Sequence, residues 1–245
     1  MKLTQDQMHH IESYLVKHKV RYWDVRMELL DHICKATEDR MAKGMSFNDA
    51  LLQAHIDFGN DPIKERLNKD NTKWETYPDI YADSSGYKEL IKLKYQKLHN
   101  SFTDMLVQDF KKFFTTPLTL FLYVIIIGLL WYFISQTNDN KLIFRITMIP
   151  PILIVLVQII IGFLTYKKTF KSLYILTAWS VGNLGLTLQS LIIQIPRMFF
   201  LDENKSTPIW LLLGSTMVLL PLIYVGLALY LKELRKYTRI QNKLV

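Results

Sequence analysis

Two patterns of apolar and polar positions divide the chain. Over roughly the first 115 residues, outside 68–86, apolar side chains recur every three or four positions among charged ones. Beyond that point four stretches lose acidic and basic residues over most of their length: Pro117–Ser135, Ile146–Tyr166, Ser172–Ile195 and Pro208–Leu231. Each approaches the ~20 residues a helix needs to cross ~30 Å of hydrocarbon. Backbone groups unsatisfied in lipid cost several kcal/mol each, and no alternating barrel pattern is present, so the spacing predicts four transmembrane helices. Thr115–Thr116 before Pro117 and Ser206–Thr207 before Pro208 place hydroxyl caps ahead of a first-turn proline. Pro150–Pro151 predicts a late start or a break in the second span.

Lysine and arginine favour cytoplasmic loops. Lys111–Lys112, Lys167–Lys168 with Lys171, and the basic tail through Lys243 therefore belong inside. Lys141, Arg197 and Lys205 are offset by Asp139, Asp202 and Glu203, which puts their loops outside and both termini in the cytoplasm. Trp131, Tyr132 and Trp210 then fall at the outer interface, and Tyr166, Tyr174 and Tyr230 at the inner one. The expected location is a bacterial cytoplasmic (inner) membrane, multi-pass. The first ten residues lack the apolar core of a secretory signal, so the first span is expected to do the targeting.

Ionisable residues inside a bilayer mark ion pathways, and none occupies the middle of a span, which disfavours ion-coupled transport by this chain alone. Ser180, Asn183, Thr187, Ser190 and Gln194 recur at steps of three and four and share one face of the third span. With Gln158 of the second span they form a candidate intramembrane polar seam, read first as packing within the bundle or between protomers and second as a small-molecule or lipid-headgroup pocket. Gly182 and Gly185 allow a neighbouring backbone close approach, and Pro221 predicts a kink by leaving the Met217 carbonyl without its helical donor.

In the polar part, Thr4 with Gln7 opens a helix to about His18, with Met8, Ile11 and Leu15 on one face. A second helix, capped by Asp24, runs to Lys43, is terminated by Gly44 and buries some of Trp23, Met27, Leu30, Ile33 and Cys34. A third starts at Ser46, presents Phe47, Ala50, Leu51, Ala54 and Phe58, and stops at Gly59; Asp61–Pro62 open a fourth. Residues 68–86 read as linker, and from Tyr87 a helix resumes with Phe102, Met105, Leu106, Phe110, Phe113 and Phe114 at amphipathic spacing. The organisation expected is all-α: a small cytoplasmic helical head over 1–68, a linker and amphipathic juxtamembrane helix over 69–115, a four-helix transmembrane bundle over 116–231, and a basic cytoplasmic tail over 232–245.

The runs Glu28-Leu29-Leu30-Asp31-His32, Gly44-Met45-Ser46-Phe47 with Ala50-Leu51, and Phe58-Gly59-Asn60-Asp61-Pro62 resemble the HAAS-type, or permease-prefix, helical domain over about residues 1–65. The resemblance implies a small module set before membrane helices, acting in signalling beside PadR-like repressors or transport systems. It implies no catalytic residues, and the long stretch from Lys69 to Ser101 departs from it.

The formal charge of +8 sits largely beside the apolar segments, which points to anionic lipid headgroups rather than nucleic acid. The third helix lacks lysine and arginine from Ser46 to Phe58 and carries Asp49 and Asp57, which disfavours a DNA-reading helix. Cys34 is the only cysteine, so no internal disulfide is expected. Glu28, Asp31 and His32 are a candidate head-domain interaction site. Three such residues with no H-E-x-x-H spacing read as a surface hydrogen-bond network before a metal site. No catalytic, cofactor or metal constellation is expected. The function these features suggest is nonenzymatic: a regulatory or sensory membrane protein coupling the bundle to a helical interaction domain, with a PadR-like regulator or transporter subunit as partner and a homo-oligomer as a further option. The alternative is an accessory or membrane subunit of a transport system.

Overall fold

The computed structural model describes residues 2–67, 74–78, 80–81, 83–136, 149, 152–153, 156–157, 159–165, 170–199 and 209–244. They divide into two compact units, Met1–Lys97 with Phe170–Tyr174, and Leu98–Thr169 with Ile175–Val245.

The first unit begins with α1 (Gln5–Lys17), opened by the expected capping box between Thr4 and Gln7. It closes with Lys19 in the left-handed region (φ 62°), where the Val20 amide donates back to Leu15 and the Val20 side chain is buried. Helix α2 (Trp23–Ala42) ends before Gly44, whose φ of +94° suits a residue without Cβ. Helix α3 (Phe47–Asp57) starts at Ser46, whose hydroxyl accepts from the Asp49 amide at 3.2 Å. Ile11, Tyr14 and Leu15 meet Val25, Leu29 and Ile33 and then Ala50, Leu51 and Ala54 in the core. The buried face of α2 is thus Val25, Leu29, Ile33 and Thr37, a helical stripe beside the expected one, and Met27 is exposed.

No helix opens at Asp61–Pro62. Instead β1 (Ile63–Leu67) pairs antiparallel with β2 (Trp74–Pro78), placing Ile63 opposite Pro78 and Leu67 opposite Trp74. The fold is therefore helical, as expected, apart from this one two-stranded hairpin among the described residues. The β-branched and aromatic content of Trp74–Pro78 and the helix-averse Pro78 favour extended chain there. Asp83 fastens the hairpin's two ends. Its carboxylate accepts from the Asp61 amide at 3.1 Å and from the Ser84 and Ser85 amides at 2.7 and 3.0 Å, opening α4 (Ser85–Thr115). The Ser85 hydroxyl and these amides hold the Asp83 carboxyl down at about 2.

The second unit holds the rest of α4, α5 (Pro117–Ser135), the described part of α6 (residues 159–165), most of α7 (Leu173–Gly182), α8 (Leu184–Phe199) and α9 (Ile209–Leu244). Phe102 and Leu106 of α4 are buried, while Met105 and Phe114 are exposed. Two stretches, Leu173–Ile192 and Met217–Ile240, are long and apolar enough to cross a membrane, and α4 with α5, bent by 78° at their junction, supplies a third if the pair counts as one. Part of the expected second span lies outside the described residues. On α5, Leu118 and Phe121 are 66% and 62% exposed, a distribution that suits lipid rather than water.

Helices α7 and α9 cross where each contributes a glycine. A Cβ built on Gly226 would lie 2.2 Å from the Gly182 carbonyl oxygen, so only hydrogen fits. One step along, a Cβ at Gly185 would stand 2.9 Å from Ile223, so the close approach expected of both glycines is present. Trp179 packs edge-on against Tyr230 at 4.7 Å. The Tyr230 hydroxyl lies 2.8 Å from that of Thr165, whose own hydrogen goes to the Ile161 carbonyl. Pro221 sits inside α9, which continues as one helix through it.

Candidate functional site

Glu28 and His32 lie one turn apart on α2 and line a cleft of about 350 Å³ with Leu29, Ala54, Phe58 and Leu90. Asp31 is exposed and does not line it. A second depression of about 570 Å³ shares Glu28, Asp57, Phe58 and Leu90 and extends along α4 past Leu93 and Lys94 to Lys97. Together they form a groove with an apolar floor, flanked by two ion pairs: Glu28 with Lys94 and Asp57 with Arg40. Exposed pairs of this kind contribute about 0–1 kcal/mol, so they align the helices more than they stabilise them. Leu93 is 58% exposed on the groove's outer wall. Among the described residues no group of three or more His, Cys, Asp or Glu could hold a metal ion.

Against Phe58 of this groove stands Tyr87, 5.5 Å away, a member of a polar cluster that the helical pattern alone does not reveal. The Tyr14 hydroxyl stands 2.7 Å from the Tyr87 hydroxyl and within hydrogen-bonding reach of His55 Nδ1. The His18 ring centroid is 5.1 Å from that of His55, and Tyr81 stacks on His18 at 5.4 Å. Desolvation, followed by repulsion from His18, lowers the His55 pKa to about 4, against the opposing pull of Asp83 and Asp61. Burial raises Tyr14, reinforced by Tyr87, and pushes Tyr87 up to about 12. His55 is therefore neutral at pH 7, and its Nδ1 can accept from the Tyr14 hydroxyl. Asn60 closes the cluster, donating to the His55 carbonyl at 3.0 Å and accepting from the Gly86 amide at 3.0 Å.

Asp24 has a different role from the one its position suggests. The residue capping α2 is Tyr22, without a side-chain bond, and Asp24 stands in the first turn. Its carboxylate accepts from the Ser172 hydroxyl at 3.0 Å, the Leu173 amide at 3.0 Å and the Tyr174 amide at 2.9 Å, all within the first unit. These are the first amides of α7, which have no acceptor inside their own helix, and a carboxylate there also meets the positive end of the helix dipole. Asp24 thus caps α7 across 150 positions of sequence.

The expected polar seam divides differently. Ser180, Thr187 and Ser190 are exposed and Asn183 is half-buried. Asn183 donates to the Trp179 carbonyl at 2.7 Å and Thr187 to the Asn183 carbonyl at 3.1 Å, so each satisfies itself on its own helix. The face that packs carries Thr177, Val181, Gly185 and Gln189, all buried. The position of Gln158 and the side chain of Gln194 lie outside the described residues.

Compared with family models, curated proteins and solved structures, the chain matches none.

Proposed function

We propose that the chain is a nonenzymatic membrane protein in which a helical head, facing the cytoplasm, reads or reports the state of the membrane helices through a partner held in the α2–α3–α4 groove. The observation that carries this reading is the Asp24 cap. The first turn of α7, where the membrane-length apolar stretch Leu173–Ile192 begins, is held by a side chain of α2, and α2 also supplies Glu28 and His32 to the groove. A movement of α7 along its axis breaks hydrogen bonds to α2, one turn from the groove wall. The HAAS-like spacing of the head agrees with a module that meets regulators or transport subunits, and the groove's mixed rim suits a helix with an apolar stripe and both charge signs.

The coupling is tested with a single reporter cysteine. In a Cys34→Ser background, His32→Cys labelling by a water-soluble maleimide is followed in inverted membrane vesicles, with and without Asp24→Ala. A changed labelling rate supports the coupling; identical rates over a range of lipid compositions would remove its basis. Photocrosslinking from Leu93 in cells then separates the partners, since a winged-helix repressor favours signalling and an ATP-binding subunit favours transport.

A further inference from the structure

Where α4 turns into α5, the chain forms an open cavity of about 220 Å³ against α9. Lys112, Lys232 and Asp109 line it together with Phe113, Tyr224 and Val225. Among the described residues neither lysine has an ion-pair partner, so the cavity presents two ammonium groups against one carboxylate. Thr116 and Thr119 also line it, but their hydroxyl hydrogens are committed: Thr116 donates to the Lys112 carbonyl at 2.9 Å, and Thr119 to the Phe113 carbonyl at 2.7 Å and the Thr116 carbonyl at 2.9 Å. They brace the elbow and leave the two lysines, with the Tyr224 hydroxyl, as the side-chain donors for a ligand.

We propose that this cavity is a binding site for the phosphate of an anionic glycerophospholipid. Three features point to a lipid rather than a soluble anion. Charge and apolar surface are separated along α9, with Lys232 and Tyr224 eight positions, or about 12 Å, apart, so a headgroup at one end places its acyl chains beside the other. The 78° bend at the α4–α5 junction is the geometry of a helix leaving a bilayer and turning along its surface, which sets the lysines at headgroup depth. Tyr224, 53% exposed, offers the chains an open flank instead of a closed wall. Asp109 sits where a polar headgroup beyond the phosphate, such as the hydroxyls of phosphatidylglycerol, would donate to it. This site rests on the membrane reading above and adds a ligand class to it.

The test uses the full chain in vesicles of phosphatidylcholine with a minority of phosphatidylglycerol, followed by release into mild detergent and native mass spectrometry. The wild-type chain should retain phosphatidylglycerol over phosphatidylcholine by on the order of ten-fold, the weight of one to two interfacial lysines. Lys112→Gln with Lys232→Gln should abolish that preference, and Lys112→Arg with Lys232→Arg should keep it. Equal retention by the glutamine pair overturns the proposal, as does displacement of the lipid by millimolar inorganic phosphate, which would make the ligand a free anion. Flotation with the vesicles separates the two readings: a wild-type chain that floats without preferring phosphatidylglycerol loses only the site, whereas one that does not float loses the membrane assignment as well.

Discussion

The Tyr123 hydroxyl of α5 donates to the Met217 carbonyl of α9, the acceptor that Pro221 leaves without a helical amide four residues on. The pairing answers two costs together. A proline inside an apolar helix exposes a carbonyl, and a tyrosine inside an apolar surface needs an acceptor. Tyr123→Phe should therefore destabilise the membrane unit by roughly 0.5–1.5 kcal/mol, the range of interhelical hydrogen bonds in lipid. Pro221→Ala, which returns an amide to Met217, should make the phenylalanine substitution nearly silent. A double-mutant cycle in detergent unfolding checks this, and additive effects would refute the pairing.

Asp24→Ala should loosen the start of α7 by about 1 kcal/mol, the usual cost of a lost cap. Hydrogen exchange at the Leu173 and Tyr174 amides should quicken about five-fold or more, while amides in the middle of α1 stay protected. Asp24→Asn keeps an acceptor but not the charge, and should fall between the two.

His55 makes the head acid-sensitive. Its folded pKa lies near 4 and its ordinary value is 6.5, so the unfolded chain binds the extra proton between them. The associated stability is fully present above pH 6.5 and is lost as pH falls toward 4, on the order of 2 kcal/mol at the low end. Melting of the full chain followed by tyrosine near-ultraviolet signal should show this slope, and His55→Gln should flatten it.

Gly226→Ala should separate α7 from α9, because its methyl would fall on the Gly182 carbonyl. Overpacking of this kind costs about 1–3 kcal/mol. Gly128→Ala on α5, where nothing lies within 4 Å of the added methyl, should cost nothing measurable and serves as the matched control. Thermal denaturation of the two variants side by side gives the comparison.

What the sequence made legible was chemistry that closes within a few residues. The Thr4–Gln7 capping box, the Ser46 cap, the left-handed Gly44 and the apolar stretches Leu173–Ile192 and Met217–Ile240 all follow from neighbours in the chain. Asp24 looked like the cap of its own helix, because the amides it accepts from lie far along the chain in α7. The hairpin was missed since Asp61–Pro62 reads equally as a helix opener, and the outcome depended on Asp83 fastening both ends. Both faces of α7 and α8 carry polar groups at helical spacing. Periodicity cannot tell which packs; Asn183 and Thr187 satisfy themselves locally, so the buried role falls to Thr177 and Gln189. At the groove, Glu28 and His32 were visible as one face of a helix, but Leu90 and Lys94, supplied by α4, were not.

The separation of Asp24 from Tyr174 also sets an order of events during synthesis. At 5–20 residues per second the ribosome emits the capped amides roughly 8–30 s after Asp24 itself has emerged. In the later part of that interval the nascent head has α1 to α3 and the hairpin to hand, yet must wait for its last three hydrogen bonds. The translation clock, and the insertion of apolar segments that runs on it, therefore decides when the head is finished.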